Sequence, residues 1–246
     1  LSYSIVKGSG MVKVEIYKQF EKLVVFDIKK VSEIAGVSRN YAKLFIHRMK
    51  KKDLVIQIEK GKYTVHSDEL VVASRIVWPS YITGWAALHL HNLTEQIPTT
   101  ISVVTPKSRK KKEIKFCNAN IVFIRTKLKY FYGYEKLVYH GFEIFVADKE
   151  KIVIDSILFR LISFSTLFEI IKNNKKEFDF KKLVDYAIEA KNTGVIKRVG
   201  FLVEKLGWNA RSLKKFVKGR FIPLDYSLEP KGKKNETWRV IENVKF

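Results

Sequence analysis

Apolar residues recur at helical spacing over residues 11–26, MVKVEIYKQFEKLVVF, where Val12, Ile16, Phe20 and Leu23 share one face of a predicted helix. Asp27 is placed to cap a second helix, IKKVSEIA, that stops at Gly36. The turn GVS leads into a third helix, RNYAKLFIHRMKKKD. Two β-favouring runs then flank Lys60-Gly61 and predict a hairpin. Val31, Ala35, Val37, Ala42 and Phe45 fall where the two crossing helices must touch, and Gly36 supplies the backbone freedom of a tight turn. Helix, helix, turn, helix and hairpin is the order of a winged helix-turn-helix, read here over residues 11–66.

Farther along, the period changes. ISVVTP, EIKF and NANIVFIRTK have the alternation and β-branched content of strands, with KSRKKK at Lys107–Lys112 as an exposed basic turn between them. KYFYGYEKLVYHGFEIFVAD continues the strands and turns at Gly141, and KIVIDSILFRLISF predicts a buried helix. These elements make an α+β unit over residues 67–164. From about Ser165 the pattern is helical: FDFKKLVDYAIEAKN and VIKRVGFLVEKLGW are amphipathic, with a break at Thr193-Gly194, and ARSLKKFVKG follows. The fold class is therefore α+β: an N-terminal winged helix-turn-helix, an α+β domain with a small antiparallel sheet, and a helical C-terminal region over 165–246 with short terminal strands.

Composition adds a partner. Of 246 residues, 47 are Lys or Arg and 25 are Asp or Glu, a formal net charge of +22. Charge of that size selects a polyanion, nucleic acid before an acidic membrane surface. With 46% hydrophobic residues the chain is long enough for two or three domains. Cys117 stands alone, which excludes an intramolecular disulfide and a cysteine-based metal knuckle and suits a reducing cytoplasm. No window of 18 uninterrupted apolar residues occurs, so no membrane helix is read. The opening LSYSIVKGSG lacks a basic segment followed by an apolar core, so no secretory signal is read there. Residues 1–10 are taken either as the product of a non-AUG start or as a leader before Met11.

The third helix carries the candidate chemistry. From Ser38 to Lys52 it holds Arg39, Lys43, His47, Arg48, Lys50, Lys51 and Lys52 and no acid. Arg39, Lys43, His47 and Lys50 step by four, four and three onto one face, while Ala42, Phe45 and Met49 turn inward. Arg39 and Asn40 are placed to reach base edges of a duplex, and the later cations to neutralise phosphates. Lys60 and Lys62 add two cations on the wing. Lys197, Arg198, Arg211, Lys214 and Lys215 are read as extending the footprint.

Other clusters carry less. Residues 79–98, PSYITGWAALHLHNLTEQIP, read as a helix capped by Ser80, with Ile82, Trp85, Ala86 and Leu93 facing the core. His89 and His91 are two steps apart, about 200° on a helix, which does not suit chelation; one imidazole is expected buried and hydrogen-bonded, the other near the surface. Glu113-Ile114-Lys115 has the acid-x-Lys spacing of metal-dependent nucleases, but the nearest preceding aspartate is Asp68. Cys117 is read as a small buried residue. VKGSGM lacks the lysine of a phosphate-binding loop. No catalytic residue, metal ligand or cofactor is assigned. The alternatives are a metal-dependent nucleic-acid-processing enzyme targeted by a winged helix, and a stand-alone winged-helix regulator or protein-interaction module.

Three blocks resemble the AbiEi antitoxin family of type IV toxin–antitoxin systems. They are the N-terminal winged helix with its KGKY wing, PSYITGWAALHLHNLTEQIP followed by ISVVT, and RVGFLVEKLG followed by PLDYSLEPKGKKNETWRVIENV. Leu1–Gly10 lies outside the likeness. The resemblance implies an autorepressor bound to double-stranded repeats in its own promoter, as a monomer or weak dimer and cooperatively. It also implies a C-terminal part that counters a nucleotidyltransferase toxin encoded beside it, with direct contact left open. The family's DNA-reading helix falls on Arg39, Asn40, Lys43 and His47.

Overall fold

The computed structural model describes residues 10–245, and side chains from Glu15 onward. The leader read at residues 1–10 lies outside the described residues but for Gly10. Helix α1 (Gly10–Leu23) is followed by a short strand β1 (Phe26–Asp27), α2 (Ile28–Ala35) and α3 (Arg39–Lys50). The hairpin β2 (Ile56–Glu59) and β3 (Lys62–Thr64) completes the N-terminal unit, with Gly61 at φ +84° in its turn. The caps explain the boundaries. Asp27 accepts the Lys30 amide at 2.8 Å, Gly36 ends α2 at φ +62°, and Ser38 accepts the Tyr41 amide at 3.3 Å to start α3.

Two details differ from the periodic reading. Phe26 is not the end of the first helix. It leaves it through Val24 at φ +61°, pairs with Tyr63 of the hairpin, and stacks on Phe20 with ring centroids 4.2 Å apart. The third helix stops at Lys50, because Asp53 at φ +54° turns the chain back and Leu54 N–H closes on Met49 O. Phe20, Phe26, Val31, Ala42, Ile46, Met49 and Val55 form the buried centre of this unit.

The next elements are α4 (Glu69–Ala73), β4 (Tyr81–Thr83), α5 (Trp85–Leu90), β5 (Thr100–Thr105), β6 (Glu113–Phe116), β7 (Ala119–Arg125), β8 (Tyr134–Tyr139) and β9 (Phe142–Ala147). The sheet runs β6-β7-β5-β4-β9-β8. It is mixed, not antiparallel: β5 lies parallel to β7, and β4 parallel to β9. Alternation in a sequence sets which face a side chain takes, not which strand lies beside it. The expected helix at residues 79–98 is in its first part the strand β4. Tyr81, Ile82 and Thr83 are aromatic or β-branched and fully buried between β5 and β9. Ser80 does not cap; its hydroxyl donates to Val77 O at 2.7 Å, and the short helix begins after Gly84, at φ +66°.

Helices α6 (Lys149–Phe159), α7 (Phe164–Asn173), α8 (Phe180–Glu189), α9 (Thr193–Lys205) and α10 (Arg211–Lys214) follow, then β10 (Ile222–Pro223), β11 (Lys233–Asn235) and β12 (Val240–Glu242). The break before α9 falls at Lys191, φ +47°, with Asn192 as the cap, so Thr193 and Gly194 are helical. One hydrophobic core runs from Val24 and Ile58 through the sheet and the helices to Trp238 and Val240. Among the described residues no helix is long and apolar enough to cross a membrane.

Candidate nucleic-acid interface

Burial of Ala42, Ile46 and Met49 orients α3, because a helix turns about 100° per residue. The outward stripe is then Asn40, Lys43, Leu44, His47, Arg48 and Lys51, all exposed. Arg39 is exposed at the first position of the helix, next to the Ser38 cap, and Lys52 is exposed beyond its end. Two of the surrounding acids are engaged. Glu33 of α2 meets Lys29 and Lys30 at 3.9 and 3.2 Å, and Glu59 of β2 meets Arg109 and Lys62 at 2.9 and 3.2 Å.

Two expected contact residues are committed elsewhere. Lys50 donates to Gln57 Oε1 at 2.5 Å, which ties the end of α3 to β2. Lys62 donates to Ile76 O at 2.5 Å besides its pairing with Glu59, so its ammonium is directed at the protein. Lys60, at the hairpin tip, is exposed. Leu44 and Tyr41, 43% and 49% exposed, were not picked out by charge, yet Leu44 lies within the cationic stripe. Apolar contact with a thymine methyl group is the chemistry such a leucine offers in a major groove.

The Lys107–Lys112 turn is not wholly free. Arg109 reaches across to the hairpin, places both Nη2 contacts on the Glu59 carboxylate at 3.0 and 2.9 Å, and lies 4.1 Å over the Phe123 ring. Burial alone would raise the Glu59 pKa, but the Arg109 and Lys62 hydrogen bonds and charges outweigh it and hold the carboxyl below its ordinary value. A depressed native pKa means stability that is present above the ordinary carboxylate range and lost as pH falls through the native value. Arg109→Ala is expected to lower the amide protection factors across residues 54–66 at neutral pH, intrinsic exchange being divided out. Unchanged exchange would show that the bridge does not hold the hairpin to the sheet. A charge-assisted pair of this kind contributes about 1.5–3 kcal/mol.

Lys197 and Arg198 are not surface cations. Both are 2% exposed: Lys197 donates to Arg220 O at 2.6 Å, and Arg198 to Leu224 O at 2.8 Å. They lie on the stripe of α9 that the tail covers, a long-range contact that periodicity does not show. Arg211, Lys214 and Lys215 are exposed.

The remaining clusters fall apart in space. His91 caps the end of α5 with Nε2 2.8 Å from Ala147 O, and half-buried His89 has no partner at Nδ1. Glu113 is exposed on the edge strand β6 and takes the Asn120 amide, while Asp68 caps α4 and meets His140 at 2.8 Å. Among the described residues no group of three His, Cys, Asp or Glu side chains is placed to hold a metal ion. Cys117 is exposed, not buried: its neighbours Phe116 and Ala119 point inward, and the turn between β6 and β7 puts Cys117 outside at φ +48°. Partial desolvation, with the Glu69 charge, raises its thiol pKa.

No protein-family model matches the chain, and no curated protein does.

Proposed function

We propose that the chain is a cytoplasmic DNA-binding autorepressor of the winged helix-turn-helix kind and the antitoxin of a type IV toxin–antitoxin system. The observation that carries DNA binding is the exposed, acid-free stripe of Asn40, Lys43, His47, Arg48 and Lys51 on α3, with Arg39 at its start and Lys60 on the hairpin. Phosphate contacts from these cations position the helix, and Arg39, Asn40 and Leu44 read base edges. The antitoxin role, against a nucleotidyltransferase encoded nearby, rests on the resemblance of the three sequence blocks to the AbiEi family. No catalytic step is assigned.

A gel shift on the gene's own upstream DNA at several salt concentrations tests the first role. Affinity is expected to fall with a log–log slope of about −4 or steeper, because each released counterion contributes about −0.9. Arg48→Ala and Lys51→Ala should each flatten that slope by about 1 on any sequence. Asn40→Ala should cost about 1–3 kcal/mol on the operator and little on random duplex. Lys50→Ala and Lys62→Ala should leave the slope nearly unchanged, because both ammonium groups are held by protein atoms. Equal affinity for upstream and random DNA would remove the repressor reading. Co-expression with the adjacent nucleotidyltransferase tests the second role: growth arrest that this chain does not relieve would remove the antitoxin.

A further inference from the structure

A cavity of about 230 Å³ lies where the end of α6, the start of α7, the middle of α9 and residues 224–227 meet. Its walls are apolar at Ile157, Ile162 and Leu167, and its charges are Arg160, Arg198 and Asp225. Asp225 is saturated from within the protein. One carboxylate oxygen accepts the Phe164 amide at 2.8 Å, and the other accepts the Ser227 amide and hydroxyl at 2.8 and 2.5 Å. The Asp225 charge acts on Arg198 across the cavity, but neither guanidinium forms an ion pair with it. Both pack on the Tyr226 ring, at 4.1 Å from Arg160 and 3.8 Å from Arg198. Arg198 is 2% exposed, bonds the carbonyls of Leu224, Gly194 and Pro223, and also hydrogen-bonds the Tyr226 hydroxyl, which leaves one of its five N–H donors.

Two further features belong to the same cavity. Ser156, 1% exposed and on its wall, has a hydroxyl with no hydrogen-bond partner. Buried polar groups are nearly always paired, so an orphan hydroxyl beside an open space is available to a polar group that enters it. Arg160 ends α6 in the left-handed region at φ +58°, where glycine or asparagine is at ease and arginine is strained.

We propose that this cavity binds a small oxyanion, held chiefly by Arg160, with the remaining donor of Arg198 and the Ser156 hydroxyl as further partners. Phosphate monoesters and short carboxylates share this chemistry, and the apolar walls fit the body of either. The site is separate from α3, so it stands or falls independently of DNA binding.

The full chain is unfolded thermally in chloride buffer, then with inorganic phosphate or with butyrate added at matched ionic strength. A protein of charge +22 gains some stability from any oxyanion. The informative quantity is therefore the difference from Arg160→Gly, which removes the guanidinium and relieves the backbone. This variant is expected to melt at or above the wild-type temperature in chloride and to lose most of the oxyanion-dependent rise. Its apparent Kd should weaken about tenfold or more, the loss of one charge-assisted contact. Ser156→Ala should weaken binding less. A larger rise with phosphate assigns a phosphate ligand, and a larger rise with butyrate a carboxylate. An equal oxyanion response in wild type and Arg160→Gly, or no response in either, would overturn the proposal.

Discussion

Asp155→Ala is expected to lower the melting temperature by roughly 10 °C or more, or to abolish the cooperative transition. Asp155 and Lys151 are one turn apart on α6, both fully buried, with Lys151 Nζ 2.9 Å from Asp155 Oδ1. The Tyr81 and Thr83 hydroxyls donate to Asp155 Oδ2 at 3.1 and 3.0 Å, while Lys151 also reaches Tyr130 O at 2.9 Å and lies 4.1 Å over the Tyr132 ring. This network joins the central strand β4 to α6. Removing one member leaves an uncompensated buried charge, which costs about 3–5 kcal/mol, and each kcal/mol shifts Tm by about 2–4 °C in a chain of this size. Replacing both as Lys151→Met with Asp155→Leu is expected to recover most of the loss, because a buried ion pair is seldom better than well-packed apolar groups. A single variant that melts like the wild type would mean that the pair does not hold the sheet to the helix. Burial also raises the Asp155 pKa, against the opposing pull of Lys151, Thr83 and Tyr81. A raised native pKa means that this proton stabilises the fold fully below the ordinary carboxylate range, and that the contribution is lost as pH rises through the native value.

Gly200→Ala is expected to destabilise the chain by about 1–3 kcal/mol, the range for overpacking a filled core. Gly200 lies inside α9, where alanine would ordinarily gain about 1 kcal/mol of helix propensity. Here a Cβ would enter the space of the Trp238 six-membered ring. Trp238 is fully buried and cannot withdraw, since its Nε1–H is bonded to Glu204. The clash therefore reverses the sign of the propensity gain. Thermal unfolding of Gly200→Ala, alone and combined with Trp238→Leu, checks this. The double variant should regain part of the loss, and a single variant at or above wild-type stability would show that the tail is not clamped on α9.

Much of the N-terminal unit was legible because its signals are local. Asp27, Gly36 and Ser38 act within three residues of themselves, and the inward spacing of Ala42 and Met49 sets the face of α3 directly. The strand β4 was missed: Tyr81, Ile82 and Thr83 carry a strand preference, but a run of three directly before a helix is settled as a strand only by its pairing with β5 and β9. The candidate interface was legible as a charge pattern but not in its membership. Lys50 and Lys62 are indistinguishable from free lysines until Gln57 and Ile76 are brought to them. Lys197 and Arg198 read as surface cations because the 220–240 tail that buries them lies more than twenty residues away.

By itself, the sequence determined the elements whose causes lie within a turn or two: the capped helices, the hairpin at Gly61, the buried character of α6, and a third helix whose stretch from Ser38 to Lys52 carries cations without acids. The tertiary structure decided everything that depends on which distant segments meet. It set the parallel pairings of the sheet, the Glu59–Arg109 bridge that seats the hairpin, the burial of Lys197 and Arg198 under the tail, and the cavity between Arg160 and Tyr226. The physical reason is range: caps and periodicity act over a few residues, whereas strand partnership and burial of charge are settled by packing between segments that the chain order leaves far apart.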